Sequence, residues 1–206
     1  GEGASPDGSF PFLDERSIAN GHSRRLWRCA APYYENFIDF MDEGAETFLT
    51  RREGIEEPPN YHLRRLSPES SVPVTAFPHP SPQLMGIRKE LIRYERADKV
   101  QLTATLYTPP GWERSRGTLP VLMWAYPQEF KSAASASQVT DSPYRFIRIS
   151  PLSPLFWVMR GYAVVDDPAM PIVGEGDKEP NDTYIEQLVA SAEAIVAELK
   201  NRDDRF

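Results

Sequence analysis

Tyr126 and Pro127 directly follow an apolar run, VLMWA, at residues 121–125. A phenol stays protonated at neutral pH and donates one hydrogen bond, so a tyrosine at the mouth of a cleft could stabilise negative charge. Pro127 lacks an N–H and has a fixed φ, and it restricts Tyr126 to extended backbone. On the residues alone, a role for Tyr126 as the cap of a buried strand fits better than a chemical role.

Nucleophile, acid and metal-ligand motifs are weak in this sequence. Gly21-His22-Ser23 begins like a nucleophile turn, but Arg25 stands where the closing glycine belongs, so we reject it as a nucleophile. Asp166 and Asp167 are adjacent on a predicted strand and face opposite ways, which favours strand-end solvation over acid–base chemistry. Cys29 is the single cysteine, which excludes an internal disulfide and a cysteine-rich metal site. The three histidines lack metal-ligand spacing, and we predict no metal and no cofactor.

Composition excludes several classes of protein. The net charge of −7 argues against a nucleic-acid partner, because phosphate binding needs clustered lysine and arginine. No segment approaches the roughly 18 apolar residues that span a bilayer, so we expect a soluble protein without a membrane partner. Cytoplasm, plastid stroma and periplasm are all compatible with it. The start lacks Met and a signal-peptide pattern, and the chain stops just after a predicted helix, so we expect a piece of a larger protein.

The first 83 residues have the pattern of an all-β segment. The 20 prolines of the whole chain are roughly twice the ordinary usage, which favours turns and short strands. Asn20-Gly21 predicts a hairpin turn between two strands, because both residues tolerate positive φ. Further short strands are predicted at 47–51 and 61–66. Such strands, spaced by turns, predict the last one or two blades of a β-propeller at residues 1–83.

A different pattern begins at residue 84, after a proline-rich linker. Residues 90–96 and 100–107 predict a hairpin, and 119–125 is an apolar run typical of a strand covered on both faces. A short helix over 154–161, a strand over 162–165 and a final helix opened by a Thr183–Glu186 capping box follow. This order predicts an α/β architecture over residues 84–206.

Three stretches resemble the prolyl oligopeptidase family of serine peptidases: VQLTATLYTPPGW, LPVLMWAYPQEFKS and GYAVVDDPAMPIVGEGDKEPNDTYIEQLVASAEA. The similarity is greatest to its glutamyl endopeptidase branch, found in chloroplasts and bacteria. It is strongest over residues 58–200 and weaker over 1–57. The resemblance implies an N-terminal β-propeller joined to the N-terminal part of an α/β-hydrolase domain, with no cofactor.

The resemblance also implies a chemistry. In this family the serine, acid and histidine of the catalytic triad follow later in the chain than Phe206, so we expect the 206-residue chain alone to be inactive. A tyrosine hydroxyl serves the family as one donor of the oxyanion hole, and Tyr126 is the matching position. The expected partners are a peptide substrate and the remainder of the propeller and hydrolase domains.

Cleavage after glutamate, if the branch implies it, requires a cation for the substrate carboxylate. Lys131, Arg145 and Arg148 are weak candidates, and an ordinary surface charge is the better explanation for each of them. Glu175, in Gly174-Glu175-Gly176-Asp177, could bind a peptide amino terminus, although a structural loop fits that segment better. The cleavage preference and the choice between exo- and endopeptidase therefore stay open.

Two alternatives remain beside the glutamyl endopeptidase. The first is another member of the same clan, such as an acylaminoacyl- or dipeptidyl-peptidase. A catalytically dead truncated paralogue would instead serve as an interaction module. The coding sequence downstream of residue 206 separates these alternatives, because an active enzyme needs a G-x-S-x-G turn there.

Overall fold

The computed structural model describes residues 1–5, 7–137, 141–174 and 176–202. The chain is mostly β-sheet with few helices, and it divides into two compact units. The first unit contains Gly1–Pro82 and the described part of Val139–Arg148, and the second contains Gln83–Gln138 and Ile149–Phe206 where described. The first break between the units lies between Pro82 and Gln83, one residue before the predicted boundary. Residues 141–148 pack with the first unit.

The described residues of the first unit form six strands: β1 (Phe12–Arg16), β2 (Ser23–Arg28), β3 (Tyr34–Phe40), β4 (Thr47–Glu53), β5 (Asn60–Arg65) and β6 (Ser70–Pro73). Strands β1 and β2 form the hairpin predicted from Asn20-Gly21, and Gly21 has a φ of +73°. Strands β3 to β6 form an antiparallel meander in chain order. The strands predicted near residues 47 and 61 are confirmed as β4 and β5.

Strands β3 and β6 have no counterpart in the sequence-based prediction. Strand β3 is sequence YENFIDF, and its polar residues interrupt the alternation that marks a strand. Its Glu35 is nevertheless buried, because Arg64 on β5 donates from Nε and Nη2 to the two carboxylate oxygens at 2.6 Å each. A cross-sheet ion pair therefore compensates a charge that sequence alone places at the surface.

The core of the first unit is aromatic. Trp27 and Phe48 are buried and meet edge to face, with ring centroids 5.9 Å apart. The Arg64 guanidinium lies 5.4 Å from the Trp27 ring centroid. The hairpin β1–β2 thus packs onto the meander through aromatic contacts, which contribute beyond the area that they bury.

Where the second unit is described, it contains six further strands and two α-helices: β7 (Arg88–Glu95), β8 (Gln101–Thr108), β9 (Val121–Trp124), β10 (Gln128–Phe130), α1 (Ala133–Ala136), β11 (Ala163–Asp166), β12 (Pro171–Val173) and α2 (Tyr184–Asn201). The main sheet has the order β7-β8-β11-β9. Its first three strands pair antiparallel, and β11 pairs parallel with β9. The predicted hairpin before residue 108 is confirmed as β7–β8.

The parallel pairing of β9 with β11 stops and then resumes. Trp124 pairs with Asp166 at the end of the first ladder, and Gln128 pairs with Pro171 at the start of the second. Strands β10 and β12 form this second, two-stranded parallel sheet. Tyr126 and Pro127 therefore lie in the interval between two ladders.

Strand β9 is less buried than its apolar sequence predicts. Trp124 is 57% exposed, and Val121 is also exposed. The exposed side chains of β9 do not fit a strand covered on both faces, and among the described residues β9 is the edge strand of its sheet and pairs only with β11. Strand β11, which lies between β8 and β9, is the buried apolar strand instead, with Ala163, Val164 and Val165 fully buried.

A 3-10 helix at Pro154–Arg160 and the final helix follow the sequence-based prediction with one correction. Gly161 ends the 3-10 helix in the left-handed conformation, with a φ of +86°. The capping box predicted at Thr183 and Glu186 is wrong, because it is formed by Glu179 and Asp182 at a 3-10 turn that precedes α2. The Thr183 hydroxyl instead accepts a hydrogen bond from Gln187 Nε2, at 2.9 Å.

The apolar face predicted for α2 covers the sheet. Ile195 and Leu199 are buried, and Leu188 and Ala192 pack against the same core. That core also contains residues of β7, β8 and β11, among them Ile92, Leu102, Leu106 and Val165. The helix therefore covers one face of the main sheet, whose strand β9 ends two residues before Tyr126.

Candidate active site

Tyr126 presents its ring to solvent at the carboxyl end of β9. The residue is 77% exposed, so its ring is not part of the core. The Asp167 N–H donates to Trp124 O at 2.9 Å, and the Gln128 N–H donates to Met170 O at 3.2 Å. These bonds fix the main chain on both sides of Tyr126 and leave its phenol available to another group.

Asp166 and Asp167 face this interval from the end of β11. Asp166 is half-buried, and burial raises the pKa of its carboxyl, with a further contribution from the neighbouring Asp167. Asp167 has a φ of +47°, which is uncommon for a residue other than glycine. Asp167 is exposed, as strand-end solvation predicts, but Asp166 departs from that interpretation.

The three cations predicted for a substrate carboxylate fall into different units. Lys131 is exposed directly after β10 in the second unit. Arg145 and Arg148 belong to the first unit, where both meet Glu53. Glu175 lies outside the described residues.

Glu53 forms ion pairs with three arginines, a cluster that the sequence does not predict. It is 3% exposed, and its oxygens lie 3.2 Å from Arg145 Nη1, 3.5 Å from Arg51 Nη2 and 3.8 Å from Arg148 Nη2. Spacing gives no signal for this cluster, because 92 residues separate Glu53 from Arg145. The cluster attaches residues 141–148 to β4.

Arg145 and Arg148 differ in how strongly they are engaged. Arg145 also donates from Nε to Asp141 Oδ1 at 2.9 Å, and its guanidinium lies 3.7 Å from the Tyr34 ring centroid. The Arg148 side chain is 63% exposed and contacts Glu53 only at 3.8 Å. Of the two arginines, Arg148 is therefore the more available to an external carboxylate.

The described residues contain neither a metal-binding cluster nor a membrane-spanning helix. Within the described ranges, no three His, Cys, Asp or Glu side chains lie together as a metal ion requires. Across the same residues, no helix has the length and apolarity needed to cross a bilayer.

Known proteins share this sequence and this fold. The chain is 46% identical, over 98% of its length, to a protein of Oryza sativa subsp. japonica described as a probable glutamyl endopeptidase, chloroplastic. A protein of Arabidopsis thaliana with the same description is 45% identical over 98% of the chain. The chain spans 23% and 22% of the lengths of these two relatives. No protein-family profile matches the chain.

Solved structures support the fold at lower identity. A post-proline cleaving enzyme from Rickettsia typhi superposes with a TM-score of 0.53 at 17% identity, covering 95% of this chain and 28% of that one. A chain from a structural and mechanistic study of two prolyl endopeptidases superposes with a TM-score of 0.55 at 13% identity, covering 98% of this chain and 28% of that one. The fold is thus that of a segment of the prolyl endopeptidases.

The two plant relatives indicate which branch of the prolyl endopeptidase class this chain resembles. Over 98% of its length the chain is similar to glutamyl endopeptidases, so the resemblance to this branch of the prolyl oligopeptidase family that the sequence indicated is confirmed.

Proposed function

We propose that this chain forms part of a serine peptidase that hydrolyses peptide bonds through an acyl-enzyme, with Tyr126 as one donor of the oxyanion hole. The first unit would belong to a β-propeller that limits access to peptides and flexible tails. The second unit would be the beginning of an α/β-hydrolase domain. The observation that carries the proposal is the exposed phenol of Tyr126 at the carboxyl end of a parallel strand.

The chemistry requires a donor at this place. Attack of a serine on a peptide carbonyl moves a pair of electrons onto the carbonyl oxygen, and preorganised donors about 3 Å away stabilise that charge. In α/β-hydrolases one donor is the N–H after the nucleophile, and the other comes from the loop after the third strand. Strand β9 is the third strand of its sheet in chain order, and Tyr126 lies in the loop that follows it.

Peptide recognition is the second part of the proposal. A substrate glutamate would need a cation that is not already neutralised. The exposure of Lys131 and Arg148 favours these two over Arg145, which Asp141 and Glu53 hold. Glu175 would bind the amino terminus of the substrate only if the enzyme were an exopeptidase.

Replacing Tyr126 by Phe tests the oxyanion role. In the full-length protein that carries this sequence, we expect Tyr126→Phe to lower kcat about 10- to 1000-fold, because one donor to the developing charge is lost. The melting temperature should change little, since the hydroxyl is exposed. Tyr162→Phe, a substitution of the same kind away from the loop, is the matched control. An unchanged kcat for Tyr126→Phe would remove Tyr126 from the mechanism.

A serine-directed probe tests which part of the chemistry the chain supplies. We expect the isolated 206-residue chain not to react with a fluorophosphonate, because the resemblance assigns no nucleophile to it. Covalent labelling of the isolated chain, detected by mass spectrometry, would contradict this assignment and would direct attention to Ser23 in Gly21-His22-Ser23.

A further inference from the structure

We infer that Arg96 and Gln187 are positioning residues for Tyr126, an inference that rests on the function proposed above. They bind the edge of β12 that faces away from β10. Strand β10 begins at Gln128, two residues after Tyr126. Through β12 and β10, these two side chains would set the place of the oxyanion donor without touching the substrate.

The side-chain amide of Gln187 makes the hydrogen bonds with the Val173 main chain that a neighbouring strand would otherwise make. Its Nε2 donates to Val173 O at 2.9 Å, and its Oε1 accepts from the Val173 N–H at 2.9 Å. The N–H of the next residue, Gly174, points toward β10 instead, where it donates to Phe130 O at 2.9 Å. One edge of β12 is thus paired with β10, and the primary amide of Gln187 satisfies the opposite edge.

Arg96 fixes the orientation of that amide. Its Nη2 donates to Gln187 Oε1 at 3.1 Å, and because a guanidinium only donates, the amide oxygen must face it. Its Nη1 donates to Pro171 O at 2.8 Å, so the same side chain also holds the first residue of β12. Arg96 is 2% exposed, and Asp98 compensates its charge.

The small sheet needs this support. Strands β10 and β12 contain three residues each, and an isolated pair of strands is marginally stable at best. The Gln128 N–H depends on Met170 O, which directly precedes β12. If β12 moves, the main chain at Tyr126 loses one of its two fixed points. A displacement of about 1 Å at a catalytic group can cost roughly 100-fold in rate.

The experiment compares two glutamine variants in the full-length protein that carries this sequence. Gln187→Met keeps the length of the side chain and removes its hydrogen bonds. Gln101→Met is the matched control, because Gln101 is an exposed glutamine of β8 whose Nε2 donates to Glu95. Amide hydrogen exchange of residues 128–130 and 172–174 reports on the small sheet directly, and steady-state kinetics reports on the site.

Gln187→Met should accelerate exchange in both segments and lower kcat about 10- to 100-fold, with KM within about threefold, since the loss concerns transition-state geometry. Combined with Tyr126→Phe it should add little, because a misplaced phenol and a missing phenol remove the same interaction. If Gln187→Met does not fold, Gln187→Glu keeps the acceptor for Arg96, loses both donors, and should show the same effects more weakly.

The outcomes separate the two hypotheses. Unchanged exchange of residues 128–130 in the variants of Gln187 overturns the positioning role, whatever the kinetics. Kinetic losses that simply add to those of Tyr126→Phe overturn it too, because they would come from another route. If Tyr126→Phe leaves kcat unchanged, the proposed function fails and the positioning role with it. If only the variants of Gln187 leave kcat unchanged, the proposed function survives and the positioning role fails.

Discussion

Arg96 and Asp98 form a two-armed ion pair across a two-residue step of one turn. Nε and Nη2 of the buried arginine each lie 2.9 Å from a carboxylate oxygen of Asp98, which is 54% exposed. The hydrogen bond from Arg96 holds the pKa of the Asp98 carboxyl below its usual range. The charge of an interior side chain is thus compensated by an acid that is open to solvent.

This pair predicts an acid-dependent stability. Because the folded-state pKa of Asp98 is lowered, its contribution is present above the unfolded pKa of about 3.9 and is lost as pH falls through the folded value. Asp98→Asn should therefore lower the free energy of unfolding at pH 7 and have a smaller effect near pH 3. Denaturant melts at both pH values measure this. Asp177→Asn, at an exposed aspartate, is the control, and equal effects at both pH values would contradict the prediction.

Glu53 predicts the stability of the first unit. Glu53→Gln should destabilise it by about 1–3 kcal/mol, because a buried carboxylate that neutralises several arginines is lost. Glu57→Gln, at an exposed carboxylate 3.9 Å from Arg52, is the control and should cost less than about 1 kcal/mol. Hydrogen exchange within β4 reports the effect locally. Equal protection in the two variants would show that the cluster contributes nothing measurable.

A second apolar stripe on α2 predicts binding of hydrophobic dyes. Ile185, Val189 and Val196 are exposed on this helix, on a face other than the one that covers the core. The 206-residue chain should therefore enhance the fluorescence of such a dye, and Val189→Lys with Val196→Lys should reduce it. Val74→Lys, at an exposed valine of the first unit, is the control. A larger reduction by the control would assign the dye to a different surface.

Local signals account for much of the fold that could be predicted. Asn20-Gly21 specifies its hairpin through backbone conformation, and the alternation from Val100 to Tyr107 specifies β8 through burial. Strand β3 escaped prediction because Arg64, distant in sequence, compensates the buried Glu35. The exposure of β9 escaped it because an apolar run gives no information about which strand lies at an edge.

The candidate site divides in the same way. Tyr126 was found through similarity to a family, and its exposure agrees with an outward-facing role without deciding it. The hydrogen bond between Arg96 and Gln187 could not be predicted from the sequence, because 91 residues separate them and each resembles an ordinary polar residue. The sequence does not indicate that Arg145 is engaged, because its partner Glu53 lies on a strand that is distant in the chain.

The break between the two parallel ladders has a consequence for how this position can change over time. Tyr126 pairs with no strand in either ladder and is largely exposed, so substitutions there should change the free energy of unfolding little. Selection on the chemistry alone can then decide which side chain stands at that spot. Relatives that share the chemistry should then keep the tyrosine for its hydroxyl, while the fold places little demand on the residue.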